Sequence, residues 1–392
     1  MDIFKGVEGL SQTKLANPME RALSLAGLAL GSSSPNPAVG AVIIKNGEVV
    51  GEGYTQLPGS HHAEIVALKQ AGEASRGASL YVTLEPCCHY GRTPPCTDAI
   101  IEAGISHVHM ASLDPNPLVC GKGKETLEKA GIKTVIGHLG FQSLELNEAY
   151  VKYITTGVPF VTAKYAMSLD GKIATRSGHS KWISCEESRR FVHGLRYSAD
   201  AIMVGINTIM HDDPQLTVRI SGDGGTIIKQ PWRVIVDTHG RTPLSANIFK
   251  DPIRTLIITS HDVETRKVEN FLEKGAEVIK VPSSGGFLDL PKVIAELGKR
   301  EISNLLVEGG ETLLGSFFDH ELIDKVVVFV GPIIVGGKAA RGPVGGVGVE
   351  DVGQAKHLKS VKITHFGEDV LVTGYLNPME YNDLCSPVSL KK

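Results

Sequence analysis

Short apolar runs of strand length alternate with longer stretches of helical spacing along almost the whole chain, and this constrains the fold more than any other feature. In the first third, Asn17 to Ala29 reads as a helix with Pro18 in its first turn. Gly40 to Lys45 and Glu48 to Gly53 read as two strands joined by an Asn46-Gly47 hairpin turn. Ala63 to Gln70 is helical, Ser79 to Leu84 is a strand, and Thr97 to Glu102 opens a helix with Cys96 or Thr97 near its cap. His107 to Ala111 and Thr134 to Ile136 are further strands. The order predicts a three-layer α/β sandwich.

Near residue 140 the pattern changes. Gln142 to Ile154 reads as a polar helix and Thr155-Thr156-Gly157 as a linker. A second series follows, with strands at Phe160–Lys164, Ala201–Val204, Trp232–Val236, Thr255–Thr259, Glu277–Val281, Asn304–Val307 and Lys325–Val330. Helices such as Glu186–Tyr197 and Pro291–Arg300 fall between them, which predicts a second α/β domain with a mostly parallel sheet. Gly222–Gly225 and Ser283–Gly286 read as loops and Ser386 to Lys392 as a loose tail. The expected domains are 1–154 and 158–380, a division that 392 residues accommodate.

A net charge of −3 argues against a protein built to grip a nucleic-acid backbone. The longest apolar run, Val326 to Val335, is broken at Gly331-Pro332 and is far shorter than the ~20 residues a spanning helix needs. The opening residues show no basic start before an apolar block, so the expected setting is cytoplasmic. Cys87, Cys88 and Cys96, half of the 6 cysteines, crowd together, which in a reducing compartment points to metal or catalysis.

That cluster carries the chemistry. His62-Ala63-Glu64 precedes Glu85-Pro86-Cys87 and Pro94-Pro95-Cys96. One imidazole and two thiolates give a zinc ion three ligands and leave the fourth position for water, as deaminases of aminopyrimidines and aminopurines require. Glu64, two residues after His62, is placed to move protons without ligating. Cys96 is expected at a helix start, where N–H groups favour a thiolate. Cys88 and His89 compete locally with Cys96, and His61 with His62, but only His62 gives the H-x-E spacing. Isolated, any of these residues reads better as buried packing, and it is the joint pattern that points to the metal; a structural zinc site would want a fourth protein ligand and has no use for Glu64. Asn36, in Ser34-Pro35-Asn36-Pro37, is either a turn residue or a partner for a ribose or pyrimidine edge. In the loop 88–93, His89 and Arg92 could meet a substrate phosphate, or be ordinary loop residues.

HAE (62–64), VTLEPCCHYGRTPPC (82–96), DPNPLVCGKG (114–123), AKYAMSLDGKIAT (163–175), SKWIS (180–184), VGINTIMHDDPQLTVR (204–219) and LLVEGG (305–310) together resemble the bifunctional deaminase-reductase family of riboflavin biosynthesis over nearly the whole chain. The resemblance implies a cytidine-deaminase-like three-layer α/β/α domain followed by a dihydrofolate-reductase-like α/β domain. It implies zinc-dependent deamination of 2,5-diamino-6-ribosylamino-4(3H)-pyrimidinone 5′-phosphate, then NADPH reduction of the ribosyl group to ribityl. The long insert between Cys87 and Cys96 matches the family, and Cys88 is assigned no role. The resemblance places Ala166, Trp182, Thr208, Asp212, Thr238 and the run Gly310, Glu311, Thr312, Leu313, Leu314, Gly315 and Ser316 at NADP. It places Ser180, Arg196, Leu216, Arg219 and Glu308 at the substrate.

The residues alone say less about this half. Val307 to Glu311 is a strand, a Gly-Gly turn and a helix start, which suits a phosphate but is a common turn. Asp212-Asp213-Pro214 reads best as an ordinary turn and Trp182 equally as a core aromatic. Arg196 and Arg219 make sense as forks for the ribose phosphate, and Asp212 is the one candidate for a proton donor in the reduction. The expected partner is a small pyrimidine ribonucleotide, with no nucleic acid, no membrane and a homo-oligomer left open. Two rivals are a nucleic-acid-editing deaminase with an RNA-binding C-terminal half, and a zinc-stabilised nucleotide-binding protein without turnover. The first wants a basic second half with exposed aromatics; the second has no need of Glu64.

Overall fold

The computed structural model describes residues 17–91, 93–219 and 229–378. Arg92, the Gly222–Gly225 loop and the Ser386–Lys392 tail lie outside the described residues. The chain forms two compact units that divide between Thr156 and Gly157. Among the described residues no helix is long and apolar enough to cross a membrane.

The first unit runs α1 (Pro18–Ala29), β1 (Gly40–Lys45), β2 (Glu48–Tyr54), α2 (Ala63–Ala71), β3 (Ser79–Leu84), α3 (Cys96–Glu102), β4 (His107–Ser112), α4 (Lys122–Lys129), β5 (Lys133–Ile136), α5 (Gly140–Leu146) and α6 (Glu148–Thr156). Its five strands lie in the order β2-β1-β3-β4-β5, antiparallel at β2-β1-β3 and parallel at β3-β4-β5. Alternate residues of β1 serve the two faces: Ala41 and Ile43 pack in one core with Ala63 and Ala67 of α2, while Val42 packs in another with Met19 and Ala22 of α1. Two glycines let the helices approach. A Cβ on Gly40 would stand 1.9 Å from the Ala22 carbonyl, and one on Gly53 would stand 2.3 Å from that of Ala63, the first residue of α2.

One expected helix is two. Asn147 interrupts the stretch expected as Gln142–Ile154, and its side chain turns back to grip another segment: Ala38 N donates to Oδ1 at 2.7 Å and Nδ2 donates to the Ala38 carbonyl at 3.0 Å. Thr155 and Thr156, expected in the linker, finish α6.

The second unit adds β6 (Phe160–Ser168), α7 (Glu186–Ser198), β7 (Ala201–Gly205), α8 (Ile206–Asp212), β8 (Trp232–Val236), β9 (Thr255–Ser260), α9 (Thr265–Glu273), β10 (Glu277–Val281), β11 (Ser283–Ser284), β12 (Phe287–Leu288), α10 (Leu290–Gly298), β13 (Asn304–Val307), α11 (Glu311–Asp319), β14 (Lys325–Gly331), β15 (Lys359–Phe366) and β16 (Asp369–Tyr375). The main sheet is ordered β10-β9-β8-β7-β13-β6-β14-β16-β15, parallel through β14 and antiparallel over the last two strands. The central strand β7 is apolar throughout because both its faces are covered: Ala201 and Met203 enter one core, Ile202 and Val204 the other. The loop expected at Ser283–Gly286 is the tip of the small β11–β12 hairpin. β15 and β16 escape the sequence pattern; β15 is exposed along most of its length and carries too few apolar residues to announce a strand.

Candidate active sites

In the first unit, three short segments converge. His62 is the N-cap of α2, in extended conformation and without a side-chain cap bond of its own, so its ring is free to face away from the helix. Cys87 follows β3 after Glu85-Pro86, and Cys96 is the first residue of α3. The ligand atoms of His62, Cys87 and Cys96 all lie within 4.8 Å of one another. His62 Nδ1 is 3.3 Å from Cys96 Sγ and 3.6 Å from Cys87 Sγ, while Nε2 lies 3.3 Å from Thr93 Oγ1. One nitrogen and two sulfurs facing a common point is the donor set of an open zinc site. Cys88 is a free, half-buried thiol outside the cluster, and His61 is exposed with Nε2 2.6 Å from Lys69 Nζ.

The helix start serves a different sulfur from the one expected. The Cys96 N–H points at Cys87 Sγ, 3.4 Å away, because the first N–H of a helix faces back toward the preceding chain. Hydrogen bonding from Cys96 brings the Cys87 thiol down to about 4, while bonding to Cys87 and burial hold Cys96 well up.

Glu64 sits in the first turn of α2, 4% exposed. Burial, then the nearby Cys87 charge, raises its carboxyl to about 7. A carboxyl poised near neutrality can both take and return a proton, and a dication at the cluster would draw it back down.

Sequence reasoning passed over Glu85. It is buried, and its two oxygens accept backbone N–H bonds from Asp114 (3.2 Å), Gly121 (2.8 Å) and Lys124 (2.9 Å). It thereby ties the Cys87 corner to the 114–124 segment. Asn36 and His89 are both half-buried, and the buried His89 Nδ1 has no hydrogen-bond partner among the described residues.

In the second unit, two adjoining cavities open at the C-terminal ends of β6, β7, β8 and β13. The larger, about 410 Å³, is lined by Ala166, Ser180, Trp182, Arg196, Thr208, Asp212, Arg219, Glu308, Gly310 and Glu311 among the residues singled out in the sequence. The other, about 300 Å³, is lined by Thr208, Thr238, Gly310, Glu311, Thr312, Leu313 and Ser316. Both share Asn207, Thr208, Gly310, Glu311 and Arg341. Gly310 is the N-cap of α11 and has no side-chain cap bond; a Cβ there would meet only Thr208 Oγ1, at 3.8 Å. An uncapped helix start facing open space fits a dinucleotide's phosphates.

Several residues fall elsewhere than expected. Leu314 is fully buried in the core beneath α11, and a Cβ on Gly315 would lie 2.3 Å from the Gly345 carbonyl carbon, so neither side faces a cavity. Leu216 is buried in the opposite core. Arg196, expected as a phosphate fork, already spends its fork on Glu308: Nε and Nη2 each donate to one carboxylate oxygen at 2.8 Å. Burial pushes Glu308 up, but the charge and hydrogen bonds of Arg196, with Lys164, overcome this and hold it at about 2. Among the described residues Arg219 has no such carboxylate partner, and it is exposed on the cavity wall. Asp212 ends α8 and accepts a 3.0 Å bond from Ser180 Oγ. Trp182 is 67% exposed with Arg189 over its ring at 4.6 Å, so it is no core aromatic. Lys164 and His193 line the same cavity and were missed. A lysine inside the apolar run Phe160–Met167 was the available signal.

The likeness to known proteins follows this division. Residues 12–112 match the "Cytidine and deoxycytidylate deaminase zinc-binding region" family, and residues 159–372 match the "RibD C-terminal domain" family. The riboflavin biosynthesis protein RibD of Aquifex aeolicus is 45% identical over 91% of this chain and 97% of its own length. That of Escherichia coli K12 is 39% identical over 90% of this chain and 96% of its own. Acinetobacter baumannii RibD superposes with a TM-score of 0.83 at 37% identity, covering 91% of this chain and 97% of that one. A diaminohydroxyphosphoribosylaminopyrimidine deaminase/5-amino-6-(5-phosphoribosylamino)uracil reductase from Thermotoga maritima gives 0.79 at 36%, with coverage of 91% and 97%. Two unrelated chemistries in this order, matched in sequence and in fold along almost the whole length, leave one conclusion: the chain belongs to the RibD family, bifunctional deaminase-reductases of riboflavin biosynthesis that use zinc and NADPH.

Proposed function

We propose that residues 1–154 deaminate 2,5-diamino-6-ribosylamino-4(3H)-pyrimidinone 5′-phosphate, and that residues 158–380 then reduce the ribosyl group of the product to ribityl, in the cytoplasm. The observation that carries the reading is the convergence of His62, Cys87 and Cys96 beside a buried Glu64. These three residues would hold zinc, which when bound supplies an acidified water. Glu64 would take one proton from that water and pass it to the ring nitrogen, then take the second, from the hydroxyl added to the ring carbon, and pass it to the departing amine. Asn36 and His89 would receive the substrate, the unpaired His89 Nδ1 being suited to a polar substrate atom; Arg92 is kept as a phosphate partner from the sequence.

In the reductase, NADPH supplies the hydride. The start of α11 at Gly310 would take its pyrophosphate, with Thr208, Thr238, Thr312 and Ser316 around it. Ser180 and Arg219 would hold the sugar phosphate. Arg196 acts through Glu308: it fixes an ionised carboxylate on the cavity wall, able to accept from sugar hydroxyls and unsuited to donating a proton. Asp212 stays the candidate proton donor.

Incubation with the diaminopyrimidine phosphate decides the matter. Ammonia should appear without NADPH, and NADPH absorbance should fall only once deaminated product is present. Ammonia release from RNA instead of the free nucleotide would overturn the reading in favour of the editing alternative.

A further inference from the structure

Two of the cavities in the second unit, those of about 410 and 300 Å³, meet at Gly310, and they differ in what surrounds them; a third, of about 830 Å³, adjoins the smaller one at Glu311, Thr312 and Ser316. On one side lie Ser180, Asp212 and the Arg196–Glu308 pair. On the other, the loop after β8 brings Thr238, His239 and Arg241 to the wall. With the pyrophosphate at the α11 start between them, the nicotinamide half belongs on the first side and the adenosine half on the second.

The loop after β8 is built to hold shape. Asp237 is fully buried, and its Oδ2 accepts both the backbone N–H and the hydroxyl of Thr242 at 2.7 Å. Gly240 takes a left-handed turn at φ +64° and closes a 3.2 Å bond to the Asp237 carbonyl. Lys267 Nζ donates to the His239 carbonyl at 3.0 Å. On this frame Arg241 is exposed and spends one nitrogen, Nη2, on a 3.4 Å bond to Asn207 Oδ1, while a guanidinium has five N–H donors to give.

A site for an unphosphorylated adenosine ribose commonly sets a carboxylate against the 2′-hydroxyl, whereas a 2′-phosphate wants an arginine. The carboxylate at the end of β8, Asp237, is turned inward onto Thr242 and does not line the cavity. The other acid there, Glu311, faces Arg341 at 3.8 Å. We propose that Arg241, assisted by His239, binds the 2′-phosphate of the cofactor and so selects NADPH over NADH. This rests on reading the cavity at Gly310 as the cofactor site.

Calorimetric titration of the full chain with NADP+, NAD+, 2′,5′-ADP and 5′-ADP separates the two readings. The unaltered protein should prefer each 2′-phosphorylated ligand. Arg241→Ala should weaken NADP+ and 2′,5′-ADP by about 10-fold or more and leave NAD+ and 5′-ADP unchanged, as expected for loss of a charge-assisted bond. Arg241→Lys should recover part of the loss and His239→Ala should show a smaller one. Equal weakening of NADP+ and NAD+ by Arg241→Ala, or no change in either, overturns the assignment. Gly310→Leu tests the cavity itself: it should block NADP+ and NAD+ alike, and undiminished binding of both would overturn the cofactor site and this assignment with it.

Discussion

The deaminase cluster and the reductase cavities are assembled on opposite principles. The first gathers its metal-binding atoms from two helix starts and one strand end, within 4.8 Å of one another. The second spreads its contacts over the ends of several parallel strands and the loops after them. A site that depends on a few atoms meeting at a point fails abruptly when one is lost. A site that sums many weak contacts degrades by degrees.

The sharpest test of that contrast is Cys96→Ser. It should remove zinc and deamination together, a loss beyond the ~10- to 100-fold that outer-shell changes cost, with metal analysis and ammonia release as the measurements. Retention of zinc by this variant would break the cluster assignment. Glu64→Gln should come next: zinc stays, deamination falls at least ~10²-fold, and NADPH-dependent reduction of supplied deaminated substrate is untouched. Loss of that reduction in a folded variant would mean the two sites are not independent.

On the reductase side, Glu308→Gln should destabilise the second unit by about 1–3 kcal/mol, since Arg196 would be left half-partnered. The Glu308 carboxyl lies at about 2 in the folded protein against an ordinary 4.5. Its ionised form is thus favoured by folding, and the stabilisation is present above about pH 4.5 and lost as the pH falls toward 2. The difference between the parent and Glu308→Gln in urea unfolding should narrow over that range; a gap that stays constant would detach the pair from stability. The smallest effect is expected from Cys88→Ser, whose sulfur lies outside the cluster: zinc content and both activities should match the parent, and any loss of metal would reopen the choice of ligands.

The same contrast explains what was legible beforehand. H-x-E and the two Pro-Cys corners are local spacings, and local spacing maps directly onto two helix starts and the end of a strand. Most strands of both units were readable because β3 alternates apolar with polar residues and β1 and β7 are short apolar runs. The Arg196–Glu308 pair was not readable, since its partners stand on α7 and after β13 and nothing in the chain says that they meet. For the same reason Arg196 looked like a free fork. The pairing of β15 with β16 was hidden because an exposed edge strand has no buried face to leave a pattern.

Asn147 sets an order of events. As the chain emerges from the ribosome, His62, Cys87 and Cys96 are all available before residue 147 exists. The Ala38 clasp, and with it the seat of the neighbouring Asn36, must wait for a residue 109 positions further along. A nascent chain can therefore hold all three candidate zinc ligands and still lack the clasp beside Asn36. A gene fragment that stops between α4 and α5 would encode the three candidate zinc ligands without the residue that closes this loop.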